Sequence, residues 1–337
     1  MPQTVLTSGQ SGTLRRGLRD AFDNAYETLA EQTKEDLAPV MALDLPSDTD
    51  QEYYAYFKDA PFPRYWPRGE EVAKAGFSAV QFSLINRDFG LEVEWHKNDE
   101  DDNQLTTGIR QRATDTGSNF AFNRTDAFFD LLLGTTSFLP AVPTAPDGAA
   151  VFATTDGASA ARFGVTNGNL LTSTGNNSFS SPSVLRADVW RAIQQFALME
   201  NTQGKPLFPR SILNQGYILY YAADEQDVFA EAFLSNPATY STVAAGNIAV
   251  PDSVTAAGYK IEGRPVQQIT DNDAFLFLKG APFKPFFHQL RQPPTEQTFD
   301  EGNSKESARS LLRSMIWHER SAYGVWLPYG VIKLNGT

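Results

Sequence analysis

The feature that most constrains this chain is an apolar stripe that runs for about eight helical turns. Leu105, Ile109, Ala113, Phe120, Ala127, Phe128, Leu131 and Leu132 recur at helical spacings, the pattern of a helix that buries one face. The acidic run NDEDDN (Asn98–Asn103) stands ahead of the stripe, where carboxylates meet the positive end of a helix dipole. Gly134 follows it as a natural stop. The spacing predicts one helix over 99–133, much longer than the usual length of about 11 or 12 residues. A helix of that length acts as a rigid spar, and the rest of the chain has to be arranged along it.

Before the spar, residues 1–13 read as an extended, polar arm. Thr13 reads as an N-cap, and Leu14, Leu18, Phe22, Ala25, Tyr26 and Leu29 trace a helix to about Gln32. Residues 39–50 read as an extended connector. The stretch YYAYFKDAPFPRYWPRG then packs four Tyr, two Phe, one Trp and three Pro into 17 positions. Its prolines forbid a regular helix and remove ladder donors. Such aromatic surface, edged by Lys58, Arg64 and Arg68, calls for a covering partner or for a loop folded back on its own core. Val80, Phe82 and Leu84, then Phe89, Leu91, Val93 and Trp95, alternate with polar residues. Period two on either side of Asn86–Asp88 predicts a hairpin or two adjacent strands.

Beyond the spar, 135–182 reads as a loop-heavy crossing with strand-like pieces such as 150–153. Helices are expected at 183–200 and 224–234, and a buried strand at 217–221. Short strands are expected at 259–262, 264–270 and 274–279, followed by a helix at 304–317 and a closing strand over 323–334. No internal repeat stands out.

Composition narrows the function classes. The chain has 337 residues with 41% hydrophobic and 20% charged, an ordinary globular balance and enough for two domains or one elaborated one. It contains no cysteine, which excludes disulfides, thiolate metal sites and thiol nucleophiles. A net charge of −12 argues against a dedicated nucleic-acid binder, whose affinity comes from clustered cations. No apolar run is long enough to span a membrane, and MPQTVLTSGQSGTLRRG lacks the apolar core of a secretory leader.

Chemical motifs are weak throughout. Consecutive acids at Asp99–Asp102 point in different directions and suit a solvated helix start better than a metal site. Asp115–Ser118 spells DTGS, yet it falls within the helical stripe and has no second copy, so the shared-proton chemistry of an aspartic protease has no support. The three histidines, His96, His288 and His318, come without a nucleophile elbow. No Walker A or G-x-G-x-x-G sequence occurs. Catalytic, cofactor-binding and metal residues are therefore expected to be none.

The order of these parts resembles that of tailed-phage major capsid proteins, most closely the Mu-like major head subunit family. The residues that carry the resemblance are SDTDQEYYAYF (Ser47–Phe57), PFPRYWPRGE (Pro61–Glu70), SLINRDFGLEVEWHKNDEDDN (Ser83–Asn103), the spar, and PDGAAVFATT (Pro146–Thr155). The segments Leu185–Pro209 and YILYYAADEQDVFAEAFLSNP (Tyr217–Pro237) extend it along nearly the whole chain.

The resemblance implies an α+β chain with the Hong Kong 97-type capsid fold. It implies an N-terminal arm over 1–47, an E-loop with flanking strands over 48–97, and a peripheral domain over 98–184 holding a spine helix at 99–133. An axial domain over 185–290 and a return to the peripheral domain over 291–337 complete it. The implied function is self-assembly into hexamers and pentamers that close an icosahedral shell around the genome. The implied partners are further copies of the chain, scaffold, portal and decoration proteins, and weakly held double-stranded DNA. The implied place is the virion, after synthesis in the bacterial cytoplasm. Arg64, Tyr65, Trp66 and Arg68 are expected near an intersubunit contact and Trp95 at the E-loop base. Lys58 and Lys74 lie in the segment where some capsid proteins cross-link covalently, and no cross-link is expected here. The competing readings are a tail, decoration or other binding module, and a head-associated hydrolase.

Overall fold

The computed structural model describes residues 8–57, 79–98, 106–175, 177–201, 204–234, 259–299, 304, 307 and 310–336. Two long helices dominate it, α1 (Ser8–Leu37) and α2 (Thr106–Leu133). They cross closely at Gly117, where a Cβ would stand 2.5 Å from the carbonyl oxygen of Phe22. A side chain at that point would collide with backbone, which is why a residue unfavourable to helices sits mid-helix. Around the crossing, Leu18, Phe22, Ala113 and Phe120 are buried with Val93, Trp95, Met315 and Trp317. The Phe22 ring stacks on Trp317 with centroids 4.8 Å apart.

Two sheets lie against this pair. The first runs β1 (Met41–Pro46), β9 (Phe286–Phe299), β10 (Leu312–Val325), β4 (Arg87–His96). In it β1 is parallel to β9, while β10 is antiparallel to both of its neighbours. The second runs β5 (Leu170–Thr172), β11 (Val331–Asn335), β8 (Ala274–Leu278), β6 (Tyr217–Ala222), β7 (Ile261–Val266). Strands β6 and β8 are buried along their whole length, so both faces of this sheet must be covered. Helix α3 (Pro182–Leu198) covers one face, with Leu185, Val189, Ile193 and Phe196 on Tyr217, Leu219, Leu276 and Leu278. The C-terminal half of α2 covers the other, with Phe128 and Leu131 among Ile218, Tyr220, Phe275 and Phe277. Phe128 also meets Phe286 of β9 edge-on at 5.5 Å, so one helix end joins both sheets. Each such side chain stabilises the fold by about 1.5–3 kcal/mol through burial.

Termini of the helices follow their local chemistry. The α2 helix stops at Gly134, whose φ is +73°. Asp130 then gathers the outgoing chain, accepting from the Thr135 hydroxyl and from the backbone N–H groups of Ser137, Phe138 and Leu139. Burial alone would raise the Asp130 pKa, but these donors bring it below the ordinary value. Helix α3 opens on Pro182, with the Ser181 hydroxyl accepting from the N–H of Val184.

Several expectations are corrected. Helix α1 begins at Ser8, so Thr13 lies inside it and not at its cap. The connector over 39–50 contains a strand, because β9 supplies a parallel partner for 41–46. Strands β3 (Ala79–Ile85) and β4 are separate: β3 pairs with β2 (Gln51–Phe57) and β4 with β10. One strand replaces the two expected over 259–270, none forms over 150–153, and 223–234 mixes 3-10, α and π turns.

The largest correction concerns 304–317, expected as a helix: β10 begins within it, and the long β9 was not anticipated. Leu311, Met315 and Trp317 fit either period, and hydrogen bonding to strands on both sides decides for the sheet. Strand β9 carries Pro293 and Pro294, which usually argue against a paired strand. They lie where its register against β10 shifts, between the pairs Thr295–His318 and Gln292–Arg320. There a missing donor costs little. The acidic run at 99–102 falls outside the described residues.

Candidate functional site

Strands β2 and β3 form a two-stranded antiparallel ribbon in which Tyr54 stands opposite Phe82. Alternation gives the ribbon two unlike faces. On the inner face Tyr54 meets Phe82 at 5.5 Å and Phe287 at 5.3 Å, while Phe82 meets Trp326 at 5.5 Å. On the outer face Tyr53 is 73% exposed and Ile85 49% exposed. Isolated two-stranded ribbons are marginal in water; here one face rests on the first sheet and the other stays bare.

The root of the ribbon is clamped by buried polar side chains. The Gln289 amide donates to Asn86 Oδ1 at 2.7 Å, and Asn86 donates to the Ser47 hydroxyl at 2.8 Å and to the Thr49 carbonyl at 2.7 Å. The Tyr54 hydroxyl donates to Gln289 Oε1 at 2.6 Å. The Glu52 carboxylate accepts from the Ser47 hydroxyl and from the N–H groups of Asp48 and Thr49. Bonds from Thr49 first, then Ser47 and Asp48, hold its pKa below the usual value. Ser47, Asn86 and Gln289 are all buried, so the set fixes where the two strands leave the sheet.

A second, charged knot ties the elements behind the root. Asp44 has a φ of +58°. Its carboxylate accepts from Arg124 of α2 at 2.8 Å, meets Lys34 of α1 at 3.0 Å, and lies 3.4 Å from Nδ1 of His288 on β9. The His288 ring is fully buried, stacks on Tyr323 at 4.8 Å, and places Nε2 3.6 Å from Glu319 of β10. His288 above all, with Arg124 and Lys34, holds the Asp44 carboxyl well below the usual carboxylate range. Burial pushes the nearby Tyr26 hydroxyl up to about 12, with Glu319 and Asp44 adding to it and Arg124 opposing. The knot joins both helices to three strands of the first sheet.

These groups are placed to hold structure. His288 is closed off from solvent, and His318 is occupied by Gln292 and Thr295. Among the described residues no group of three or more His, Asp or Glu is positioned to hold a metal ion. No helix among them is long and apolar enough to cross a membrane. The DTGS residues lie within α2, where the Thr116 and Ser118 hydroxyls donate to carbonyls one turn back.

Of the residues singled out in the sequence, Arg64, Tyr65, Trp66 and Arg68 lie outside the described residues, as do Lys58 and Lys74. Trp95 is 6% exposed and fills its own chain's core beside Phe22 and Trp317. Sequence reasoning did not find Asp44, Asn86 or Gln289. Only Asn86 carried a signal, as a polar residue between two alternating strands.

Residues 12–154 match the model of the family described as Mu-like prophage major head subunit gpT. That stretch contains the ribbon, β4 and α2; the resembling segments at 185–209 and 217–237 lie beyond it. No curated protein matches the chain. Among solved structures, the capsid structure of the cyanophage P-SCSP1u superposes with a TM-score of 0.54 at 9% identity, covering 88% of this chain and 86% of that one. The capsid of Myoviridae phage XM1 gives 0.54 at 9% identity, with 90% and 92% covered. A chain of Mycobacterium phage Adephagia gives 0.50 at 13%, with 89% and 88% covered. The fold is the Hong Kong 97-type capsid fold expected from the order of the parts.

Proposed function

We propose that this chain is a major capsid protein, the head subunit of a Mu-like tailed phage, and that its activity is assembly. The observation that carries this is the family match over 12–154 joined to a capsid fold over the chain's length. Copies associate through heterologous contacts that close into rings of five and six. Many contacts per subunit, each weak, add into a stable shell.

In this reading 1–47 is the arm, 48–97 the E-loop with its flanking strands, and 98–184 with 291–337 the peripheral domain. The axial domain is 185–290, and its sheet also recruits β5 and β11 from outside that range. The E-loop lies on a neighbouring subunit, with Arg64, Tyr65, Trp66 and Arg68 near the contact. The bare outer face of the ribbon supports this, because a face with Tyr53 and Ile85 exposed gains by being covered. Trp95 then acts from within, as a core residue at the base of the E-loop.

Scaffold, portal and decoration proteins are the further partners, and the net charge of −12 keeps contact with packaged DNA weak. The protein performs no chemistry of its own and is made in the bacterial cytoplasm. Its enclosed histidine and its structural carboxylates support a mechanical role.

Sedimentation of the purified full chain tests this. Assemblies of many subunits are expected, dissociating in denaturant to a single 37.2 kDa species with no covalent ladder. A chain that remains a monomer at every concentration, with a binding or hydrolytic activity, would sink the reading.

A further inference from the structure

A cavity of about 510 Å³ among the described residues, lined by parts of 146–164, 200–207 and Leu327, is not used by any contact described above. Its apolar wall includes Pro146, Ala161, Phe163, Leu207 and Leu327, and its charged groups are Asp147, Asp156, Glu200 and Arg162. The Arg162 side chain is 1% exposed and held by its neighbours. Its Nε and Nη2 donate to the two oxygens of Asp147 at 2.8 and 3.0 Å. Its Nη1 donates to the carbonyls of Ala150 and Val151 and to Asn169 Oδ1. Only one Nη2–H is left over and Asp147 already balances the charge, so a nucleotide or phosphate is a poor occupant. With Arg162 neutralised by Asp147, the surplus charge of the lining is negative, from Asp156 and Glu200.

The backbone beside the cavity is left-handed. Phe163 has φ +57° and Gly164 φ +72°; a left-handed Phe is strained and persists only where its surroundings impose it. Gly164 lies close under Glu200, where a Cβ would stand 3.1 Å from the Glu200 Cβ. A preformed apolar hollow with an acidic edge fits a side chain that is aromatic and flanked by cations.

This chain contains such a segment. Residues 58–68, KDAPFPRYWPR, carry three cations against one acid in a protein whose net charge is −12. Within them, Arg64 and Arg68 bracket Tyr65 and Trp66. Trp, Tyr and Arg are the residues that most often carry interface energy, because they bring large rigid surface with a polar handle. Resting on the capsid reading, we propose that the cavity beside Arg162 is the receptor for the 64–68 segment of a second copy of this chain. Trp66 or Tyr65 enters against Phe163 and Leu327, and Arg64 and Arg68 face Asp156 and Glu200. Because receptor and segment are different patches, the contact is heterologous and propagates around a ring.

A charge exchange and a cysteine pair test it on the full chain. Glu200 has a carboxylate at the cavity edge, whereas Asp156 also accepts the N–H groups of Ala158 and Ala160, so Glu200 is the cleaner target. Glu200→Arg and Arg68→Glu should each lower the yield of sedimentable shells roughly fivefold, and the double variant should restore it. The thermal melting of the unassembled chain should be unchanged in all three, which separates assembly from folding. Since the protein has no cysteine, Arg68→Cys with Glu200→Cys gives a silent background. Oxidised shells of that variant should run as covalent multimers on a denaturing gel. Intact shells with no bond, an internally bridged monomer, or no rescue by the double exchange would each overturn the proposal and leave the capsid reading standing. Failure of the unsubstituted chain to form shells would remove both.

Discussion

Asp44 gathers charged and titratable groups from two helices and a strand. Its left-handed backbone costs a non-glycine residue about 1–2 kcal/mol, offset by Lys34, Arg124 and His288 around its carboxylate. Asn tolerates the same backbone, so Asp44→Asn isolates the charge and should lower stability by about 2 kcal/mol in denaturant unfolding. Asp44→Ala should lower it by roughly 1 kcal/mol more, because the backbone strain is then unrelieved. The folded-state pKa of Asp44 is depressed, so the unfolded chain takes up the proton first. Its stabilisation is therefore fully present above the unfolded value near 3.8 and is lost as pH falls below it. The difference in unfolding free energy between the native chain and Asp44→Asn should stay constant near neutrality and narrow in acid. None of this was legible in ALDLP, where Asp44 reads as one acid in a connector. Its partners come from two helices and a distant strand, and no local spacing announces them.

At the scale of elements, Gly117 decides how α1 meets α2. If the crossing were loose, Gly117→Ala would stabilise the helix by up to about 1 kcal/mol. With the Phe22 carbonyl 2.5 Å from the added carbon, the substitution should instead cost about 1–3 kcal/mol. Proteolysis of α1 should quicken while the five-stranded sheet stays protected. At the ribbon root, Gln289→Leu leaves Asn86 and Tyr54 without their buried partner and should cost about 1–3 kcal/mol. Limited proteolysis within β2 and β3 should report the loosened clamp. The elements that the sequence revealed are those whose burial pattern is local. The α2 stripe, the α3 helix and the wholly apolar β6 each bury residues at a period written in their own segment. Strands β9 and β10 escaped because their order comes from one another: Pro293 and Pro294 masked one, and dual-period apolar residues disguised the other. The pairing of β3 with β2, twenty-odd residues earlier, and not with the adjacent β4, is likewise a long-range choice.

For the whole molecule, the parts form a frame with one uncovered ribbon. The charged knot fixes both long helices to the first sheet, the polar clamp fixes the ribbon's departure, and α2 and α3 enclose the second sheet. In the proposed role, a subunit so braced carries load from neighbours without rearranging its core. Replacing 58–78 by a short Gly-Ser turn removes the proposed contact segment and leaves every described element. That variant should melt as a cooperative, folded chain and sediment as a small species, which separates the subunit's fold from its assembly. The measurement that bears most directly on the central claim is an electron micrograph of the purified, unsubstituted protein. Closed shells, or rings of five and six subunits, are expected. A field of discrete particles the size of one chain, unchanged on concentration, would contradict the account.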